Sequence, residues 1–344
     1  MEIDPDPTVC GLPVISGVDL ETAENLGKGT FGYVFKMSLG EDKSLIALKA
    51  FPKKTDTNDI LSECDLLYQY WKKHGTGMGR LPALCTASEQ MVAGPTGIAV
   101  HQLMIQMELA KGTLLDVLKK GVQWSPAQAL NCATDLLEAL QKLRELKIVH
   151  RDIALGNIFV YKGEDFTGIV RMMFRLGDFG AATTYERINA EFNMGICPYA
   201  TTTAPYEDPY LFTKSYCIKT CCPGVSISEH KEQRSKFKIN RNTLRSVAAY
   251  TRNDLWSVAV VILVIALGND QEAFTLRCNL EKTLLKRNQF SISEWIESKF
   301  DAYSESVKLL KPLVKNMLVL DIHKRISLCA ALRFCRLRLS GKEN

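Results

Sequence analysis

Asp152 and Asn157 stand five residues apart in HRDIALGNIF (150–159), and Asp178 follows in LGDFGAAT (176–183). Oxygen-bearing side chains of this kind hold Mg²⁺ and orient a hydroxyl. Each alone is also an ordinary turn residue. Upstream, Lys49 sits inside the apolar run IALKAF, where a buried ammonium needs an anionic partner. Fourteen residues on, Glu63 can supply that partner from a helix; the competing reading is a Lys that snorkels from an edge strand. Further upstream, LGKGTFGYVFK places Gly27, Gly29, Gly32 and Val34 in a G-x-G-x-x-G-x-V spacing. Glycines let the backbone approach phosphates closely. The same spacing opens dinucleotide folds, but there a helix follows, whereas here a turn and a strand do.

Elements must position these groups. Residues 1–19, with three prolines and no periodicity, predict a poorly ordered tail. From Leu20 to Ala50 the pattern is β-like, with a break at LGEDK. Asn58–Trp71 predicts a helix carrying Leu61, Leu66, Leu67 and Tyr70 near one face, and Ala99–Leu109 an apolar strand. After residue 110 long helices take over. Ser125 as N-cap and Pro126 in the first turn open one in which Leu130, Ala133, Leu136, Leu137, Leu140 and Leu143 recur at helical spacing. IFVYKGEDFTGIVRMMFRL predicts two strands, and Tyr303–Leu320 and Ile326–Leu339 further helices.

Composition allows a soluble chain with two lobes. The 344 residues are 46% hydrophobic and 24% charged, and the net charge of +5 gives little support to nucleic-acid binding. WSVAVVILVIAL (256–267) is too short to span a bilayer and predicts a buried helix. The acidic, Pro-rich start lacks an apolar leader, and eleven scattered Cys predict free thiols in a reducing compartment.

Taken in order, these motifs resemble those of the eukaryotic-type protein kinases over about residues 20–335. MELAKGTLLDVL (107–118) is similar to that family's hinge, NDLWSVAVV to the start of its buried central helix, and DIHKRIS to the late motif whose Arg, here Arg325, pairs with an activation-segment Glu. The resemblance implies an α+β, bilobal fold: a small β-rich N-lobe (20–110) and a larger, mainly α-helical C-lobe (111–340). It implies ATP and Mg²⁺ as cofactors. Gly27, Lys28, Gly29, Gly32, Val34, Ala47, Lys49, Met107, Glu108 and Leu109 would surround the nucleotide, with Met107 as gatekeeper. Glu63 would position Lys49, Asp152 would orient the acceptor hydroxyl, and Asn157 and Asp178 would hold the metal. It also implies protein substrates, Ser/Thr rather than Tyr, control by an upstream kinase or autophosphorylation, and a cytoplasmic or nuclear setting without a membrane.

The sequence departs from the family at three places. Ser/Thr kinases usually carry a Lys two residues after the catalytic Asp; here Ala154 stands there, and neither Leu155 nor Gly156 supplies a cation. The family's A-P-E is A-P-Y-E here (Ala204–Glu207), with Glu207 the expected partner of Arg325. Thr201, Thr202 or Thr203 would lie against Asp152, and one of these, Tyr185 or Tyr199 would be a modification site that Arg151 could read. An insertion at about 210–245 holds Cys217, Cys221, Cys222 and His230, a loose hint of zinc without a C-x-x-C pair, and the basic run Lys231–Arg245. These departures keep open a second reading, a kinase fold used as a binding module.

Overall fold

The computed structural model describes residues 14–15, 20, 23–29, 32–39, 44–74, 83–86, 92–93, 98–122, 124–164, 170–193, 203, 205–206, 208–209, 247–284, 289–301 and 308–341. The insertion at 210–245, with its cysteines and basic run, lies outside them, as does the break at 40–43. The chain divides into two compact units, Met1–Lys111 and Gly112–Asn344.

The first unit is built on a sheet ordered β1-β5-β7-β4-β3-β2, with β6 pairing β7. Its strands are β1 (Val14–Ile15), β2 (Glu24–Lys28), β3 (Tyr33–Leu39), β4 (Ser44–Pro52), β5 (Ala83–Thr86), β6 (Val92–Ala93) and β7 (Ile98–Glu108). Val14 and Ile15, inside the expected tail, pair with Leu84 and Cys85. Alternation along β3 and β4 sends Phe35, Met37, Ile46, Leu48 and Ala50 to one face, where they bury with Leu20 and Met104. The opposite face of the central strand is also buried, at Ala47 and Lys49. Helix α1 (Thr57–His74) follows β4. Its buried residues are Ile60, Glu63, Cys64, Leu66 and Leu67, so Glu63 lies among apolar neighbours while Leu61 and Tyr70 are only half-buried.

The second unit begins with β8 (Gly112–Thr113) and α2 (Leu114–Lys119), then α3 (Pro126–Glu145). Ser125 and Gln128 close a capping box: Gln128 N–H donates to Ser125 Oγ at 3.2 Å and Ser125 N–H to Gln128 Oε1 at 2.9 Å. Leu130, Ala133, Leu136, Leu137, Leu140 and Leu143 are all buried, as their spacing predicts. Truncating one, Leu136→Ala for example, costs about 2–5 kcal/mol. Beyond α3 come β9 (Ile148–Val149), β10 (Ile158–Glu164), β11 (Val170–Leu176), β12 (Thr183–Thr184) and α4 (Tyr185–Asn193). Asp135 of α3 grips β11 through both nitrogens of Arg171, at 2.8 and 2.9 Å.

Helix α5 (Val247–Leu267) is buried along nearly all of its Trp256–Leu267 stretch, as its all-round apolarity predicts. It is followed by α6 (Gln271–Leu284), α7 (Ile292–Asp301), α8 (Lys311–Met317) and α9 (Leu328–Leu339), the last capped by Ser327. Among the described residues no helix is long and apolar enough to cross a membrane.

Candidate active site

In the first unit, sheet register gathers the expected nucleotide residues. Val34 lies opposite Lys49, and Ala47 opposite Met107, so one sheet face presents Val34, Ala47, Lys49 and Met107. Lys49 Nζ donates to both carboxylate oxygens of Glu63, at 2.6 and 2.8 Å. Both side chains are buried, so the pair neutralises two charges that could not otherwise leave water. Glu108 ends β7 and Leu109 follows it, both half-buried. In the glycine-rich turn, Gly29 N–H donates to Gly32 O at 2.8 Å. Gly32 is pressed onto β4: a Cβ there would stand 2.3 Å from Ala50 O, so only glycine fits. Gly27 and Lys28 are exposed, with open space where a Gly27 Cβ would be.

The second unit builds the loop that carries Asp152 and Asn157 between β9 and β10. Its entry is held from α5: Asp254 Oδ2 accepts the backbone N–H of His150 (2.8 Å), and Oδ1 that of Arg151 (3.0 Å). Arg151 takes the left-handed conformation there, φ 67°, and Asp254 secures it. Burial raises the Asp254 carboxyl to about 6, against the two N–H donors and the Arg151 charge, which lower it. His150 Nε2 lies 3.0 Å from Gly177 O, and its ring packs edge-on to Phe179, 5.1 Å between centroids. This ties the loop to the Asp178 segment. Asp178 is also left-handed, φ 57°, with Oδ1 accepting from Gly180 N–H at 3.4 Å.

Asp152 is buried. Asn157 Nδ2 donates to its Oδ2 and to its backbone oxygen, both at 2.9 Å. Oδ1 has no hydrogen-bond partner among the described residues. Burial raises this carboxyl above its ordinary value. Thr203 opposes the rise, its hydroxyl and backbone amide favouring the ionised form without closing a hydrogen bond to Oδ1, while the nearby Asp178 adds to it. Of the three threonines, Thr203 is the one described, and it stands beside Asp152. Ala154 and Leu155 are buried within the loop.

One expectation needs correction. Arg325 pairs with Asp208, at 2.5 Å with both side chains fully buried; the expected Glu207 lies outside the described residues. Arg325 also stacks over Trp256, 4.9 Å from the ring, and that pocket selects the carboxylate which reaches it. Tyr185, one of the candidate modification sites, is buried, its hydroxyl 3.3 Å from Thr251 Oγ1. Tyr199, Thr201 and Thr202 lie outside the described residues. Arg151 Nη1 lies 3.6 Å from a carboxylate of α4, Glu191, and its Nε donates to Ala181 O at 2.6 Å. Sequence reasoning missed Glu191 and Asp208; each lies in a polar stretch with several acids, and nothing local singles it out.

The protein kinase domain model matches residues 20–205, more than half of the chain, and the chain belongs to the protein kinase family. Among curated proteins it is similar to the probable serine/threonine-protein kinase zyg-1 of Caenorhabditis elegans, 26% identical over 48% of this chain and 21% of that one. It is 29% identical to the RasGEF domain-containing serine/threonine-protein kinase X of Dictyostelium discoideum, over 59% of this chain and 19% of that protein. It also resembles mitogen-activated protein kinase kinase 9 of Arabidopsis thaliana, 28% identical over 56% of each. The chain thus spans well under two thirds of each of these relatives. The fold is that of the family, a β-sheet N-terminal part followed by a mainly helical C-terminal part.

Proposed function

We propose that this chain is an ATP- and Mg²⁺-dependent protein kinase that phosphorylates Ser or Thr in protein substrates. The observation that carries the reading is Asp152: a buried carboxyl with one oxygen held by Asn157 and the other uncommitted. An acceptor hydroxyl donating to Oδ1 is oriented for attack, and the raised basicity of the group suits it to take the proton. Thr203 beside Asp152 favours Ser/Thr specificity, since the family's Ser/Thr members place a Thr there. In this reading Lys49, set by Glu63, holds the α- and β-phosphates, and the Gly27–Gly32 turn covers them. Val34, Ala47, Met107, Glu108 and Leu109 bound the adenine.

The donor set fits a hard dication. Asn157 commits its nitrogen to Asp152 and keeps its amide oxygen for a metal, and Asp178 adds a carboxylate to a neighbourhood already rich in negative charge. Mg²⁺ bound there would neutralise charge on the transferring phosphoryl group. A cytoplasmic or nuclear setting, and regulation by an upstream kinase or autophosphorylation, belong to the same proposal.

The second reading is a binding module that keeps the fold without turnover. The buried Ala154 favours it, because the loop lacks the usual cation. Incubation with labelled ATP, Mg²⁺ and mixed Ser/Thr and Tyr acceptors separates the two. Label on Ser or Thr, lost in Lys49→Met and Asp178→Asn, is the expected result. Label no higher than in those variants, under several metals and after treatment with an upstream kinase, sinks the enzyme.

A further inference from the structure

Helix α4 buries Tyr185 and Ile188, three residues apart on one face. Glu191 continues that face at the same interval, with its side chain only 15% exposed. An acid in a place that packing would give to an apolar group needs a cation. Two arginines reach it. Arg187, one turn earlier on α4, brings Nε to 3.4 Å from Oε1, and Arg151 brings Nη1 to 3.6 Å from Oε2. The Arg187 side chain is 60% exposed, so its pair is weak. The Arg151 side chain is 11% exposed, and its charge is the one that needs an anion where it stands.

Arg151 directly precedes Asp152 and is held from three sides. Asp254 fixes its backbone N–H in the left-handed conformation, φ 67°. Its Nε donates to Ala181 O at 2.6 Å, three residues beyond Asp178. Its Nη1 faces Glu191. A left-handed residue other than glycine persists only where its surroundings over-determine it. The side chain is therefore a strut from the Asp152 loop to the segment that follows Asp178. A second tie joins the same two stretches of chain: Thr183 pairs with Val149, and Tyr185 N–H donates to Lys147 O at 2.9 Å. The anion that the sequence assigns to Arg151 is an added phosphate; the structure puts a carboxylate of the chain's own there.

We propose that Glu191 is a positioning residue for phosphoryl transfer: acting through Arg151, its carboxylate holds the Asp152 loop in register with the segment that carries Asp178. The inference rests on the kinase reading and deepens it. Glu191 touches no reacting atom. Its effect on rate comes from the placement of Asp152 against Asp178, where displacements of about 1 Å cost up to ~10²-fold.

The test reads kcat and KM for ATP in Glu191→Gln, which keeps the shape and deletes the charge, and in Glu191→Ala, which also opens space for a small anion. Acetate is added to each, with ionic strength held constant by sodium chloride, and a thermal melt accompanies every variant. Glu186→Ala is the control, an exposed acid in the first turn of the same helix. Both Glu191 variants are expected to lose about 10- to 100-fold in kcat with KM for ATP unchanged. Acetate restores kcat several-fold in Glu191→Ala and not in Glu191→Gln, and Glu186→Ala keeps the wild-type kcat. A merely structural acid gives no such rescue. A wild-type kcat in Glu191→Gln, a loss in Glu191→Ala that acetate does not move, or an equal loss in Glu186→Ala overturns the proposal. Unfolding of both Glu191 variants at the assay temperature assigns the residue to stability alone and overturns it too. Failure of the kinase reading looks different: wild type and Lys49→Met then label alike, and the proposal falls with it.

Discussion

Lys49 and Asp152 are both buried, each in its own unit, and they are balanced in opposite ways. Lys49 is neutralised where it stands, by two short bonds to Glu63 from the following helix. Asp152 is surrounded by neutral donors, Asn157 and Thr203, with a second acid nearby, and keeps one oxygen uncommitted. A completed pair fixes a side chain's direction and consumes its charge locally. An incomplete shell leaves a group basic, at some cost in stability. The first suits a group that must point the same way in every cycle, and the second a group that must accept a proton from a visiting hydroxyl.

Asp152→Asn is the sharpest way to break that contrast. It removes the proposed base and the buried charge together. Transfer falls by about 10²–10⁴-fold, the usual weight of a positioned acid or base, while stability in urea stays level or rises. A stability loss comparable to that of the Lys49 variant would erase the distinction. Lys49→Met has the opposite profile. It lowers transfer by about 10²–10³-fold and also strands the Glu63 carboxylate, at about 3–5 kcal/mol in a denaturant melt. Lys49→Met with Glu63→Leu then recovers most of the stability and none of the activity. Equal stability of the single and double variants would show that the pair contributes no coupling.

Asp254 sharpens the comparison through pH. Its folded pKa, about 6, lies above the ordinary 3.8, so between those values the folded state binds more protons than the unfolded one. Its contribution to stability is therefore complete below about pH 4 and lost as pH rises through 6. Melts of wild type and Asp254→Asn across pH 4–7 should show the wild-type advantage narrowing over that window. A constant gap would place the titration elsewhere. The smallest effect belongs to the surface. Glu297 accepts from Lys311 and Lys315 at 2.6 and 2.7 Å, and those bonds pull its carboxyl down to about 2. These side chains lie at the surface and are partly exposed, so Glu297→Gln should barely shift the melting temperature, and molar salt should remove the shift.

Much of this was legible beforehand because it is governed at short range. The capping box at Ser125, the stripe from Leu130 to Leu143 and the alternation in β3 and β4 follow from rules spanning a few residues. The Lys49–Glu63 pair was legible for a different reason: an ammonium inside an apolar strand leaves few ways to fold, and a carboxylate on the next helix is the nearest remedy. Even there, α1 buries Ile60 and Cys64 with Glu63 and leaves Leu61 and Tyr70 half-exposed, because the face a helix presents is set by what packs on it.

The amino-acid sequence by itself determined the family, the order of elements and the chemical kinds of group at the centre. These depend on residue types and their spacing along the chain. Only the tertiary structure decided which acid takes Arg325 from 117 positions away, that Asp254 holds the backbone of a loop over a hundred residues distant, and that Tyr185 and Tyr206 are buried. Such choices are made by which groups arrive together when the core closes, and several candidates of equal local merit compete for each. The buried polar group that finds a partner keeps its place, and linear spacing has no bearing on which one that is.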